Sequence, residues 1–318
     1  MKDSFGREIS YLRISLTDKC NLRCRYCMPE EGVCLKDHSE MLTEDEFVQA
    51  AEVAAELGIR KIRLTGGEPL VKKNIIGICA RISAIPGIED IGITTNGLLL
   101  PKIAKDLAAV GVTRVNISLD TLKKDKFEYL SRRPAPEDLM GAVKAALDAG
   151  FKKVKINAVL IGGVNDDEIE DLAALTMDYP VDVRFIELMP MYDSGDFGPE
   201  AYLDSDIVLE RLSLLPSGGM DDGGVAKKYK LPGAKGEIGL ISAVSKSFCS
   251  SCNRIRLTAD GFLKPCLHSS QEIGIKGLAR EEVKEKMKEC ILAKPPCHPE
   301  LSYEHRSGSE RNMNRIGG

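Results

Sequence analysis

The sequence predicts an α/β fold: a parallel sheet, wrapped by helices, curls into a closed or partly closed barrel and carries a smaller C-terminal extension. Three observations predict it. First, one unit recurs, in which a helical stretch ends at a glycine and runs straight into a strand. It appears as Leu57-Gly58-Ile59-Arg60-Lys61-Ile62-Arg63-Leu64-Thr65, again from Val110 to Ser118, and again from Ala149 to Asn157. Glycine suits the position after a helix because it takes the left-handed conformation at little cost. Second, strands and helical segments alternate, as a parallel sheet with outer helices requires. Third, nearly every strand runs into polar residues: Thr17-Asp18, Thr65-Gly66-Gly67-Glu68, Thr94-Thr95-Asn96, Ser118-Leu119-Asp120, Asn157 and Glu187-Leu188-Met189. That distribution fits a barrel rim, whereas an open sheet gathers such groups at one switch point.

In chain order, residues 9–16 alternate as a strand, with Ile9, Leu12, Ile14 and Leu16 apolar. Thr43 to Glu46 is a capping box that opens a helix, whose apolar positions run to Leu57. With the three recurring strands, 88–96 and 181–187 bring the total to six, and helices are expected at 74–84, 101–109, 136–149 and 167–178. Residues 190–224 are punctuated by glycine and proline around a short helix near 204–214, the expected junction between a domain at 1–224 and one at 225–318. Beyond it the period becomes two. Strands are expected at 225–231 and 237–244, a hairpin at 254–258 and 262–266 around Ala259-Asp260-Gly261, and a helix at 280–292.

The chain has 318 residues, 43% hydrophobic and 29% charged, with net charge −4, so nothing global points to nucleic acid. No apolar run reaches the roughly 18 residues of a membrane span, and the first residues lack a signal-peptide core. A cytoplasmic protein is expected. Ten cysteines in a reducing compartment read as metal ligands rather than disulfides.

Six of those cysteines fall in two sets. Cys20, Cys24 and Cys27 are spaced C-x3-C-x2-C, interleaved with Lys19, Asn21, Arg23 and Arg25, which do not belong in a core. Three thiolates on a [4Fe–4S] cluster leave one iron open to a small molecule. The rival is a zinc site closed by Cys34, against which stands the lack of paired C-x2-C knuckles. Cys249, Cys252 and Cys266 form the second set, readable either as zinc with His268 as fourth ligand or as a second cluster. Arg13, Arg63 and Lys155 are expected near the C-terminal ends of three strands, where a shared cavity would call for an anion. The closing Gly317-Gly318 reads by itself as a frayed tail.

C-x3-C-x-Tyr-C resembles the cluster motif of radical S-adenosylmethionine (SAM) enzymes, and Leu12 to Cys20 with Cys27-Met28-Pro29 resembles their GTP 3′,8-cyclase family. The likeness runs from about residue 5 to 318 and is weakest at 190–224 and 268–311. It implies an incomplete six-stranded barrel whose mouth the C-terminal α+β extension closes. It also implies two [4Fe–4S] clusters, the first binding SAM and the second, on Cys249, Cys252 and Cys266, binding the guanine of GTP. SAM contacts are implied at Tyr26, Gly67, Ser118 and Met189, and GTP contacts at Arg13, Arg63, Thr94, Lys155 and Arg254-Ile255-Arg256. Arg254 and Arg256 would hold the substrate radical, and the Gly317-Gly318 tail would enter the active site. The implied reaction is a lyase-type cyclisation in which a 5′-deoxyadenosyl radical takes H3′ and C3′ attacks C8. The product would be (8S)-3′,8-cyclo-7,8-dihydroguanosine 5′-triphosphate, opening molybdenum cofactor biosynthesis. Implied partners are an electron donor such as flavodoxin or ferredoxin and, for hand-over, cyclic pyranopterin monophosphate synthase; a homodimer is allowed. The alternatives are a radical SAM enzyme modifying a peptide with an auxiliary cluster, and a non-catalytic iron–sulfur or zinc protein. Cys34, Cys79, Cys290 and Cys297 have no role in the resemblance.

Overall fold

The computed structural model describes residues 1–34, 36–191, 196–220 and 225–317. Six strands run parallel and in sequence order: β1 (Tyr11–Ser15), β2 (Lys61–Thr65), β3 (Asp90–Thr95), β4 (Arg114–Ser118), β5 (Lys153–Leu160) and β6 (Val181–Glu187). Helices α1 (Glu44–Glu56), α2 (Ile75–Ser83), α3 (Leu100–Ala109), α4 (Lys124–Ser131), α5 (Gly141–Asp148) and α6 (Ile169–Asp178) connect them. All the expected strands and helices of this part are present. α4 is additional: only Leu130 and Ser131 of it are buried, so it has no apolar stripe for a sequence reading to find.

The rest of the chain adds to both edges of this sheet. After α7 (Ile207–Arg211) come β7 (Leu215–Met220), β8 (Lys227–Lys230) and β9 (Ile238–Ile241), of which β9 lies parallel to β6. Then β10 (Arg254–Leu257) lies parallel to β1, followed by β11 (Phe262–Lys264) and β12 (Ile273–Gly274). The result is one sheet of 12 strands in the order β12-β11-β10-β1-β2-β3-β4-β5-β6-β9-β8-β7, with edges at β12 and β7 that no other described strand covers. The barrel is therefore incomplete. The β7–β8 hairpin straddles the expected junction, whose residues 221–224 lie outside the described residues, as do 192–195.

Pleating separates two faces on every strand. Leu12, Ile14, Ile62, Leu64, Ile91, Ile93, Val115, Ile117, Val154, Ile156, Ile255 and Leu257 point outward into one continuous core beneath the helices. Thr43 caps α1 by accepting from the Glu46 N–H, while the Thr43 N–H donates to Glu46 Oε2 at 2.8 Å. Phe47, Val48, Ala50, Ala51, Val53 and Ala54 bury that helix's inner face. Each large side chain so buried contributes about 1.5–3 kcal/mol. α8 (Arg280–Leu292) packs on α1, with Arg280 bridging to Glu52 and Glu56. A last short helix, α9 (Met313–Ile316), lies one residue short of the end of the described chain.

One expectation is corrected. Arg13 and Arg63 sit at the centres of β1 and β2, and Lys155 is the third residue of β5, rather than at strand ends. The polar residues after them, Ser15, Thr65 and Asn157, still belong to the hydrogen-bonded ladder. The cations consequently lie deeper in the lumen.

Gly236 marks a close crossing just before β9. A Cβ there would lie 1.8 Å from the Val181 carbonyl oxygen, a backbone atom that cannot rotate away. Gly236→Ala is expected to lower stability by about 2–4 kcal/mol, read as a reduced urea midpoint with unchanged slope. A variant as stable as wild type would contradict this strand crossing.

Candidate active site

Strand register sets the inward residues in rows across the lumen. The lowest row runs Arg256, Arg13, Arg63, Gly92 and Arg114; the next includes Ser15, Thr65, Thr94, Asn116, Lys155 and Asp182. Ser118, Asn157 and Arg184 stand above them.

The lowest row is dense in positive charge. Arg63 is buried and donates to Tyr11 Oη at 2.9 Å, Asn116 Oδ1 at 3.1 Å and the Ile93 carbonyl at 3.3 Å. Gly92 makes room for it, since a Cβ at that position would lie 2.4 Å from Arg63 Nη1. Burial pushes the Arg13 guanidinium well below its ordinary range, and Arg256, Arg254 and Arg63 add repulsion. Burial likewise brings Arg256 down to about 10, with Arg254 repelling it. Burial alone would raise the Tyr11 phenol, yet Arg63 and Arg13 hold it below its usual value. Lys155 lies 3.9 Å from Asp182, a carboxylate that Lys153 holds at 2.8 Å. Guanidinium groups packed this closely out of water call for a polyanion. Two other inward atoms, Thr94 Oγ1 and Asn157 Oδ1, are buried without a hydrogen-bond partner among the described residues. An orphaned buried polar atom costs about 1–3 kcal/mol, so these fit a ligand. Asn157 belongs to this set although the resemblance does not single it out; its signal is a polar residue on an inward position of a buried strand.

The first cysteine loop follows β1 at the C-terminal end of the lumen. The Cys27 and Met28 N–H groups both donate to the Cys24 carbonyl, which winds the loop into a turn. The Leu22 N–H reaches Cys20 Sγ at 3.4 Å. Burial pushes all three thiols up, Cys27 to about 12, and Cys24 and Cys27 also feel neighbouring thiols of the set. A set of thiolates so placed needs a cationic metal centre to neutralise it, which fits the cluster. Gly66 and Gly67 press against the loop: the Gly67 N–H donates to the Thr17 carbonyl at 2.7 Å, and a Cβ on Gly67 would lie 2.4 Å from the Lys19 carbonyl. Tyr26 Oη donates to Asp120 Oδ2 at 2.6 Å, and the Val159 N–H donates to Oδ1 of the same carboxylate at 2.8 Å. Burial brings Asp120 up to about 6, against those two hydrogen bonds. Ser118 closes β4, and Met189 follows β6 at the same end of the sheet.

The second set lies at the other end of the β1–β10 pair. Cys249 opens a short turn, Cys252 lies two residues before β10, and Cys266 follows β11. Burial opposes ionisation of Cys252, but Arg254 and Lys294 bring it down to about 7. Arg254 and Arg256 thus stand between this set and the lumen. Ile255 does not: its side chain is in the outer core, so it offers the lumen only main-chain groups. The imidazole beside Cys249 is also not the one the sequence offers. His268 is buried against Ser307, with Nδ1 3.1 Å from Oγ, whereas His298 bonds the Cys249 thiol.

The C-terminal segment enters between the two sets. Arg311 forks onto Asp260, at 2.9 Å to each oxygen, and onto Glu272, at 2.6 Å to each. Beyond it, Asn314 Nδ2 donates to the Asp18 carbonyl at 3.0 Å, and the Asn314 N–H bonds the Cys27 thiol. Arg256 Nη1 then donates to the Gly317 carbonyl at 2.6 Å. Gly317 has φ 76°, and a Cβ would lie 2.8 Å from Thr65 Cγ2, so glycine is required on both counts. Gly318 lies outside the described residues.

Residues 14–176 match the radical SAM superfamily, and 181–299 match the Molybdenum Cofactor Synthesis C family. GTP 3′,8-cyclase of Alkaliphilus oremlandii is 47% identical over 321 residues, covering 100% of both chains. The chain belongs to the GTP 3′,8-cyclase family of radical SAM proteins. A second family member, from Petrotoga mobilis, is 44% identical over 326 residues with the same full coverage. Among solved structures, Streptococcus suis SuiB aligns with TM-score 0.65 at 14% identity, over 91% of this chain and 66% of that one. That likeness shows the shared radical SAM fold alone.

Glu68 supplies a pH-dependent test of this site. Its carboxylate accepts from the Leu70 N–H, Thr95 Oγ1 and the Asn96 N–H at 2.7–2.9 Å, yet burial outweighs them and raises it from 4.5 to about 7. In that window the folded chain holds a proton that the unfolded chain has released, so stability falls as pH rises from 4.5 to about 7 and then levels. In Glu68→Gln the slope is expected to be smaller by the Glu68 share, leaving the part that Asp120, likewise raised by burial to about 6, contributes at the acidic end of the window. Urea unfolding of the cluster-free chain at several pH values reads it; an equal slope in both proteins would refute the assignment.

Proposed function

We propose that this chain is a GTP 3′,8-cyclase, converting GTP to (8S)-3′,8-cyclo-7,8-dihydroguanosine 5′-triphosphate at the start of molybdenum cofactor biosynthesis. The observation that carries the reading is the row of Arg256, Arg13 and Arg63, crowded into a lumen with a three-cysteine set at each end. A triphosphate supplies negative charge that such a row of guanidinium groups attracts. When bound, two [4Fe–4S] clusters and SAM supply the electron and the 5′-deoxyadenosyl radical that removes H3′. Cys20, Cys24 and Cys27 would hold one cluster, and Cys249, Cys252 and Cys266 the other.

The protein's own work is binding, orientation and exclusion of water. Tyr26, Gly67, Ser118 and Met189 frame SAM, with Asp120 fixing the Tyr26 ring. Arg13, Arg63, Thr94 and Lys155 hold the ribose triphosphate, and the Arg254-Ile255-Arg256 stretch approaches the base, Ile255 through its backbone. We add Asn157, whose orphaned oxygen faces the same space. Arg256 also receives the tail through Gly317, so substrate side and tail share one guanidinium.

The division into a barrel domain at 1–224 and a cluster-bearing domain at 225–318 belongs to this proposal, although both feed one sheet. So do a flavodoxin or ferredoxin electron donor, hand-over to cyclic pyranopterin monophosphate synthase, a homodimer and a cytoplasmic location. No helix among the described residues is long and apolar enough to cross a membrane.

Anaerobic incubation with SAM, a strong reductant and GTP is expected to release 5′-deoxyadenosine in a GTP-dependent way; release indifferent to GTP would point to another substrate. Cys249→Ser is expected to keep SAM binding and lose cyclisation. If SAM binding disappears instead, the two cysteine sets have been given each other's roles. Removing residues 317–318 is expected to lower turnover by at least about tenfold, or 1.4 kcal/mol, with GTP affinity changed far less. An unchanged rate would dismiss the tail from the reaction.

A further inference from the structure

Cys297 and His298 belong to no expected site, yet they stand against the second cysteine set. Cys249 Sγ, Cys297 Sγ and a His298 ring nitrogen all lie within 4.8 Å of one another. Cys252 and Cys266 are outside this group, so it shares one residue with the cluster triad and differs in the other two. His298 Nδ1 lies 2.7 Å from the Pro299 carbonyl. A carbonyl only accepts, so Nδ1 carries the proton and Nε2 keeps its lone pair for a ligand. Ser247 links the two residues: its hydroxyl is 3.2 Å from Cys297 Sγ and accepts from the Cys249 backbone N–H at 3.3 Å. The His268 ring packs edge-on against His298, with centroids 5.0 Å apart.

We propose that Cys249, Cys297 and His298 bind a single divalent transition-metal ion when the second cluster is absent, and that this ion and the cluster compete for Cys249. The proposal rests on the reading of Cys249 as a cluster ligand. Two thiolates and a neutral imidazole balance a doubly charged ion, and water completes a tetrahedron. Any proton still on a thiol goes to solvent on binding. Around one ion such ligands stand about 3.5–3.8 Å apart, within reach of a small side-chain rotation from the observed spacing. Thiolate and imidazole donors select zinc and its neighbours over magnesium or calcium. Cys297 is exposed, so the ion reaches the site from solvent. A bound ion withdraws Cys249 from the triad and leaves the first cysteine loop untouched.

The test uses the full-length chain with Cys20, Cys24 and Cys27 all changed to Ser, which removes the first set as a competing ligand. Cobalt(II) added to the cluster-free protein is expected to give one ion per chain with the strong visible absorption of tetrahedral thiolate coordination. Cys297→Ser and His298→Ala should each weaken it at least about tenfold, while Cys252→Ser and Cys266→Ser leave it within about twofold. Equal affinity in Cys297→Ser, or loss in Cys266→Ser, would overturn the site. One equivalent of zinc bound beforehand should block anaerobic cluster assembly, read as iron per chain, and Cys297→Ser should restore it. A full cluster on the zinc-loaded chain would overturn the competition. Failure to bind iron even without zinc would instead remove the second triad from the cyclase reading, and the competition with it, whatever cobalt does.

Discussion

The structure depends on keeping several guanidinium groups in one lumen. Burying charge without an opposite partner is costly, and each device of the lower barrel answers that cost. Gly92 gives up its side chain so that the Arg63 fork can lie flat. Tyr11 and Asn116 accept from that fork, Asp182 balances Lys153 and Lys155, and the Gly317 carbonyl receives Arg256. None of these acceptors of Arg63 and Arg256 is a carboxylate. Neutral oxygens around Arg63 and Arg256 suit a lumen that takes a strongly anionic nucleotide.

The upper lumen answers a different problem. Buried carboxylates and thiols crowd together there, and Glu68 and Asp120 are both raised by burial, as are Cys20, Cys24 and Cys27. One end of a single cavity therefore favours a metal-bound cation and the other a polyanion. In the proposed reading, SAM would sit at the end of the first cysteine loop and the nucleotide deeper in the lumen.

Much of this was legible in the sequence. The helix–glycine–strand unit located β2, β4 and β5, because tight connections leave little freedom between elements. The cysteine spacings located both sets, because ligand loops are local. What was not legible depended on distant parts meeting. The register that aligns Arg256, Arg13 and Arg63 joins segments far apart in sequence. The placement of Ile255 on the outer face needed the pleat of β10. His298 takes the place beside Cys249 that proximity to Cys266 suggested for His268. The Arg311 fork onto Asp260 and Glu272, which leads the tail inward, spans loops that no local pattern connects. α4 escaped because a helix that buries two residues leaves no periodic mark.

The pairing of β1 with β10 reaches further than the finished site. Tyr11 meets Arg254, so an N-terminal strand must find one from the last quarter of the chain. Contacts of such sequence separation close slowly. Until they do, β1 presents an open ladder of N–H and C=O groups, the kind of edge along which neighbouring chains join. A ribosome will have made most of this protein before that edge can be covered. During synthesis, late docking of β10 therefore competes with association through that edge.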